Sequence, residues 1–251
     1  MHQRILTETP LLKSTLEEAR ADLESLSPEK RLEWAFNQFG SHLAITTSFG
    51  MQSAVLLHML HMLQAGNTIK VIWVDTGYLP SETYQYADML SKKLNLNITV
   101  AQSQISPARM EALFGKLWEN NSVKDLETYH NIRKVQPLED ALKAHEIHCW
   151  ASGVRKSQTD NRGSMSVLEP IRSRLSLRPI LEWSQKEIFY YMQKNNLPPH
   201  PLFEKGYSTI GDWHSSAPDS KDAVGRQTRF GGLKQECGIH VSDKDQENKE
   251  K

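Results

Sequence analysis

From residue 42 onward the chain alternates short apolar runs with longer stretches of helical periodicity, and no other property of the sequence restricts its fold as strongly. Runs at 43–46, 69–74, 97–101 and 149–152 read as strands; stretches at 52–63, 81–94, 137–145 and 184–195 read as helices. Strands separated by helices of this length predict an α/β fold, a mostly parallel sheet with helices on both faces. In such sheets, binding sites lie beyond the carboxyl ends of the strands, where the chain order reverses. Three polar loops, at 47–50, 75–78 and 153–162, fall at those ends.

Ahead of the first strand, residues 12–26 have amphipathic spacing, and Ser27-Pro28 supplies an N-cap and a first-turn proline for a second helix reaching residue 39. A chain of 251 residues suits one main domain with appendages. The expected organisation is a helical segment at 1–40, an α/β domain at 41–215, a glycine-rich, helix-poor and mobile arm at 216–240, and a disordered tail at 241–251. Hydrophobic residues make up 38% and charged residues 24%, the balance of a soluble globular chain. No apolar run approaches the roughly 20 residues that cross a bilayer. The first residues lack the basic start, apolar stretch and cleavage site of a secretion signal, so a cytoplasmic location is expected.

The formal net charge is zero, which gives no pull toward nucleic acid or an anionic membrane, so any anion binding must be local. Arg155, Lys156, Arg162, Arg172, Arg174 and Arg178 crowd a span poor in acids and form a candidate anion site. The chain has two cysteines, Cys149 and Cys237, far apart in sequence. That spacing excludes a disulfide framework and argues against an iron–sulfur cluster or a zinc site, so no metal is expected.

Thr46-Thr47-Ser48-Phe49-Gly50 joins a strand to a helix, where hydroxyls and backbone N–H groups converge on an anion or simply cap the helix. Asp75-Thr76-Gly77-Tyr78 ends the second strand, where a carboxylate meets a ribose or an adenine amino group, or caps a helix. Gly153-Val154-Arg155-Lys156-Ser157-Gln158 with Arg162 offers planar guanidinium groups that match phosphate, against the plainer reading of a solvated basic loop. Cys237 sits in Lys234-Gln235-Glu236-Cys237-Gly238-Ile239-His240, where nearby cations favour a thiolate and Glu236 opposes it; an incidental surface cysteine is the alternative. Cys149, in an apolar strand beside Trp150, is expected to be buried and inert. His145, His148 and Cys149 lack a fourth neighbour for a metal site, and His58 and His61 share a helix face as core or subunit-contact residues.

Together Thr47-Ser48-Phe49-Gly50, Asp75-Thr76-Gly77-Tyr78, Gly153-x-Arg155, His200-Pro201-Leu202, Gly206-Tyr207, Gly211-Asp212-x-His214 and Glu236-Cys237-Gly238-Ile239-His240 resemble the phosphoadenylyl-sulfate (PAPS) reductases over residues 32–240. The resemblance implies an adenine nucleotide α-hydrolase-like (PP-loop type) fold, a homodimer, no bound cofactor, and reduced thioredoxin or glutaredoxin as a transient electron donor. It also implies that the Cys237 thiolate attacks the sulfur of PAPS, releasing adenosine 3′,5′-bisphosphate, and that thioredoxin then frees sulfite from an S-sulfocysteine. A thiolate approaching a sulfonate needs cations to offset repulsion, and Lys134, Arg155, Arg162, Arg229 and Lys234 are the candidates. By the same resemblance Thr47, Ser48, Phe49 and Gly50 hold the sulfate or phosphate end, and Asp75, Thr76 and Gly77 lie near the adenosine. Lys134 with Gly153 and Arg155 holds phosphate, and Tyr207 and His240 match positions close to the sulfonate. Two cysteines cannot build the four-iron cluster of many adenylyl-sulfate (APS) reductases, and this loop lacks the Ser-Gly-Gly-x-Asp-Ser run of ATP pyrophosphatases. The alternatives are a cluster-free reductase acting on APS and a non-catalytic nucleotide-binding protein of the same fold.

Overall fold

The computed structural model describes residues 10–63, 68–233, 236 and 238–240; the tail expected to be disordered lies outside the described residues. Six strands form one sheet: β1 (Leu43–Thr47), β2 (Lys70–Val74), β3 (Asn97–Ala101), β4 (Cys149–Ser152), β5 (Leu168–Ile171) and β6 (Arg174–Leu177). Their spatial order is β3-β2-β1-β4-β6-β5. Every pairing is parallel except that of β5 with β6. The chain lays β2 and β3 to one side of β1 and then returns to place β4 on the other. The order therefore reverses between β1 and β4, which is where a parallel sheet opens a crevice.

The period of two along each strand divides the core into two layers. Leu43 and Ile45 of β1, Val71 of β2, and Cys149 and Ala151 of β4 face one layer. That layer is covered by helices α1 (Pro10–Ser25), α2 (Pro28–Phe39), α3 (Ser53–Met62), α4 (Ser81–Leu94) and α9 (Gln185–Lys194). Ala44, Ile72, Val74 and Trp150 face the other layer, where Leu138 and Leu142 of α7 (Gln136–Ala144) pack on them. The first two helices are anchored into the main core by Leu23, Leu32 and Ala35, which are fully buried. The start of α2 follows the sequence reading: Ser27 accepts a hydrogen bond from the Lys30 amide and Pro28 occupies the first turn.

Short helices α5 (Pro107–Phe114) and α6 (Val123–His130) precede α7, a π-helical turn, Asn131–Val135, joins α6 to it, and the one-turn α8 (Asp160–Gly163) follows β4. The hairpin of β5 and β6 was not expected from the sequence. Its strands have four residues each, Pro170 lies inside one, and the turn uses Arg172 and Ser173 at φ +46° and +64°, without the glycine that marks tight turns. The hairpin corrects the broad candidate anion site. Arg172 and Arg174 both pair with Glu139 at 2.6 Å, and Arg178 pairs with Glu169 at 2.7 Å, so these three arginines brace the hairpin. The residues from 196 to 233 contain only short 3-10 turns, and they pack across the strand ends through Leu202, Ile210 and the buried Asp212 and Arg229. Among the described residues no helix is long and apolar enough to cross a membrane.

Candidate active site

A cleft opens at the carboxyl ends of β1 and β4. Its floor is the turn from β1 into α3, with Thr47, Ser48 and Gly50 among its lining, and one wall is Ser152, Gly153 and Val154 at the end of β4. The stretch from Ser208 to Asp212 forms the opposite wall. The β1 turn is shaped from within: the Phe49 amide donates to Thr47 Oγ1 at 3.0 Å. Phe49 takes φ +47°, a region that few non-glycine residues occupy. Its buried ring, edge-on to Trp73 at 5.1 Å, anchors that conformation. Phe49 thus serves the cleft through its backbone, with its side chain in the core.

Asp212 organises the cations. It is completely buried, accepts a hydrogen bond from Thr76 Oγ1 at 2.6 Å and pairs with Lys134 Nζ at 2.6 Å. Burial alone would raise its carboxyl pKa, but Lys134 and Arg229 together hold it below the usual carboxylate range. Lys134 reaches it from the π-helical turn, whose wider winding is a common device at functional sites. The neighbouring Arg133 turns instead to the Ile105 carbonyl at 2.6 Å and over the Tyr78 ring. Arg229 lies flat against Gly211: a Cβ there would fall 2.1 Å from Arg229 Nη1, so only glycine leaves room for the guanidinium. Behind Asp212, His214 stacks on Trp118 with centroids 4.0 Å apart and meets the Tyr129 hydroxyl at 3.0 Å. Burial lowers the His214 pKa to about 4, so it is neutral at pH 7.

A second cationic centre lies across the cleft. Arg162 and Arg226 line it, and both engage Glu236. Ile239 and His240 also line the cleft, and His240 stacks on Trp150 with centroids 5.2 Å apart. Burial, reinforced by Arg162 and Arg178, pushes the His240 pKa well below its ordinary value, so the ring is neutral.

The structure thus brings Thr47, Ser48, Gly50, Thr76, Lys134, Gly153, Arg162, Arg229 and His240 to one cleft. Other expected site residues turn away from it. Asp75 accepts from the Gly77 amide at 2.8 Å, Tyr84 at 2.7 Å and Gln102 at 2.6 Å, and so braces its own loop. Gly77 has φ +74°, and a Cβ there would lie 2.7 Å from Pro107, which explains the glycine without a ligand. Arg155 is buried, with its guanidinium on Gln52 and Gln185, and burial followed by the nearby Arg162 lowers its pKa to about 10. Tyr207 packs on Met51, Leu202 and Ile210. Cys149 is fully buried, with its thiol pushed up by burial, as the inert reading expects. Cys237 and Lys234 lie outside the described residues. The sequence reading did not single out Asp212, Arg226 or Gln158 as site residues. Asp212 had a signal in its Gly211-Asp212-x-His214 motif, whereas Arg226 stands in a polar stretch with none. Among the described residues no group of three or more His, Cys, Asp or Glu is arranged to hold a metal ion.

Comparison with known proteins agrees with this geometry. Residues 42–218 match the family model of the phosphoadenosine phosphosulfate reductase domain. Phosphoadenosine 5′-phosphosulfate reductase of a Synechococcus species is 49% identical over 233 residues, covering 92% of this chain and 100% of the relative. The Synechocystis enzyme of the same name is 45% identical, with 92% of each chain covered. Among solved structures, phosphoadenylyl-sulfate (PAPS) reductase from Candida auris in a phosphate complex superposes with a TM-score of 0.70 at 26% identity, covering 84% of this chain and 99% of that one. The FMN adenylyltransferase of Candida glabrata, at 14% identity and a TM-score of 0.58 over 99% of this chain and 86% of that one, shares the fold alone. By sequence and by fold, this chain belongs to the phosphoadenosine phosphosulfate reductase family.

Proposed function

We propose that the chain reduces 3′-phosphoadenylyl sulfate to sulfite and adenosine 3′,5′-bisphosphate, with Cys237 as the nucleophile. One observation carries this reading beyond family membership: Ile239 and His240, from the family's closing motif, line the same cleft as Lys134 and Arg229. A nucleophile two residues before Ile239 therefore belongs to a segment that borders a cationic site.

In the first step the Cys237 thiolate attacks the sulfonate sulfur. An S–S bond forms, the bond from sulfur to the bridging phosphate oxygen breaks, and adenosine 3′,5′-bisphosphate leaves with that electron pair. Lys134 and Arg229 offset the repulsion between thiolate and substrate and stabilise charge on the departing phosphate. Thr47, Ser48 and Gly50, at the end of β1 and in the turn that leads to α3, supply hydroxyl and backbone donors to the anionic end, and Gly153 borders the nucleotide on the β4 side. Neutral His240, whose Nδ1 has no hydrogen-bond partner among the described residues, offers a hydrogen bond to a sulfonate oxygen. Lys234 adds a cation from the same segment, and Tyr207 supports the wall beside Ser208. Phe49, Asp75, Gly77 and Arg155 hold the loops from behind. In the second step a thiol of reduced thioredoxin or glutaredoxin attacks Cys237 Sγ and displaces sulfite. The donor's second thiol then closes its own disulfide, supplying two electrons and returning the Cys237 thiol.

The homodimer and the cytoplasmic location belong to this proposal through the family resemblance. Turnover assays with reduced thioredoxin, on PAPS and on APS, test the reading. Sulfite release from PAPS, abolished by Cys237→Ser, is the expected result. Preference for APS would replace the substrate, and full turnover by the serine variant would remove Cys237 from the mechanism.

A further inference from the structure

Ser152 is the last residue of β4 and lines the cleft, yet it is only 3% exposed, and its Oγ is fully enclosed with no hydrogen-bond partner among the described residues. A buried hydroxyl left unpaired is costly, and folded proteins keep few of them. The neighbouring hydroxyls are already committed. Thr46, opposite Ser152 in the register of β1 with β4, donates from Oγ1 to the Ala151 carbonyl at 3.3 Å. Thr76 donates to Asp212 at 2.6 Å, Thr47 accepts from the Phe49 amide at 3.0 Å, and Ser53 donates to the Gly50 carbonyl at 2.8 Å. Among the described hydroxyls that line the cleft, that of Ser152 alone is both fully enclosed and unpaired. Its position narrows what it can meet. The period of two along β4 puts Ser152 on the sheet face of Trp150, the residue on which His240 stacks. Val74, Leu138 and Ile239 line the cleft on this face and are apolar, so none of their side chains can serve the hydroxyl.

We infer that Ser152 is a ligand of the sulfonate: its hydroxyl, which the fold leaves unpaired, donates to a sulfonate oxygen of the bound substrate at the β4 end of the cleft. The inference rests on the reaction proposed above, which gives the sulfonate to His240, and Ser152 shares the face that His240 covers. An anionic oxygen is the partner to which a hydroxyl bonds most strongly, because the bond is charge-assisted. Donors from two elements, Ser152 on β4 and His240 in the closing motif, hold two of the three sulfonate oxygens and so set the direction from which the sulfur is approached. The bond is made in the bound substrate, so it is read in affinity for the sulfonate.

The test compares two ligands that differ by the sulfonate alone. Calorimetry gives Kd for PAPS and for adenosine 3′,5′-bisphosphate with and without Ser152→Ala, both on a Cys237→Ser background so that PAPS is bound and not consumed. Ser152→Ala is expected to weaken PAPS by about tenfold, the loss of one charge-assisted hydrogen bond, and to leave the bisphosphate within about twofold. Because the hydroxyl has no partner in the fold, the urea midpoint is expected to be no lower than before. Equal weakening of both ligands would assign Ser152 to the nucleotide, unchanged PAPS affinity would leave the hydroxyl to a buried water, and a lowered midpoint would reveal a partner inside the fold; each overturns the inference. The proposed reaction is judged separately, on the protein that keeps Cys237. If that protein takes no sulfonate from PAPS, the reaction falls, and the ratio of the two Kd values still decides the place of Ser152.

Discussion

At the scale of single residues, one buried carboxylate sets the geometry of the cleft. Asp212 holds Lys134 and receives Thr76, and removing its charge leaves two buried cations without their counter-ion. We predict that Asp212→Asn lowers the unfolding free energy by about 3 kcal/mol, the lower end for breaking a buried ion pair from one side. Urea denaturation measures this, and a change under about 1 kcal/mol would show that the pair contributes little. Gly211 makes a sharper prediction, because an alanine methyl there displaces the Arg229 guanidinium while striking only the end of a flexible side chain. Gly211→Ala should stay folded and bind adenosine 3′,5′-bisphosphate about tenfold more weakly, as expected when one charge-assisted contact is lost. Titration calorimetry showing unchanged affinity would remove Arg229 from the nucleotide site. The lining of the cleft was legible in the sequence where a strand-end loop carries it, as at Ser48. Side-chain partners that arrive from elsewhere in the chain were not legible. Arg155 and Asp75 have the right chemistry at strand ends, yet Gln52 and Gln185 take the first, and Tyr84 and Gln102 take the second.

At the scale of elements, the strands and long helices were readable because their periodicity survives in the sequence. The predicted strands at 97–101 and 149–152 match β3 and β4, and the helix at 81–94 matches α4. The π-helical turn carrying Lys134 was not readable, since nothing in Asn131-Ile132-Arg133-Lys134-Val135 distinguishes one extra residue per turn from an ordinary helix. The β5–β6 hairpin was hidden for a related reason: its arginines look like a ligand site until Glu139 and Glu169 arrive from elsewhere. The cap read at Ser27-Pro28 holds, and the structure adds one that the sequence reading did not name. Ser184 and Glu187 form a reciprocal capping box at the start of α9, with bonds of 3.2 Å and 2.7 Å. Ser184→Ala should cost about 1 kcal/mol of stability and leave bisphosphate affinity unchanged, since neither Ser184 nor α9 lines the cleft. Parallel thermal melts and calorimetry test both halves.

At the scale of the whole molecule, buried neutral histidines tie stability to pH, among them His200 and His214. His200 is fully buried; it accepts from the Leu202 amide at Nδ1 and meets Thr83 Oγ1 at Nε2, so its neutral form carries the proton on Nε2. Burial lowers its pKa from 6.5 to about 4, as it does for His214. A base whose folded pKa is depressed contributes stability that is complete above the unfolded value and drains away as pH falls toward the folded one. Unfolding free energy should therefore be insensitive to these groups above pH 6.5 and fall between pH 6.5 and about 4. The slope is at most about 1.4 kcal/mol per pH unit for each histidine. His200→Asn, which keeps an acceptor for Leu202 but cannot titrate, should flatten that slope, and a slope unchanged in this variant would assign the effect to other groups.

The same whole-molecule view gathers the family match, the cationic cleft and the Cys237 segment into one chemical claim, that a sulfonate moves from nucleotide to cysteine. Intact mass spectrometry of the fully reduced protein, incubated with PAPS and separately with APS in the absence of any thiol donor, tests it most directly. The account predicts one added sulfonate from PAPS, mapping to Cys237 and lost when reduced thioredoxin is supplied. A protein that binds adenosine 3′,5′-bisphosphate yet keeps its unmodified mass with both nucleotides would contradict it.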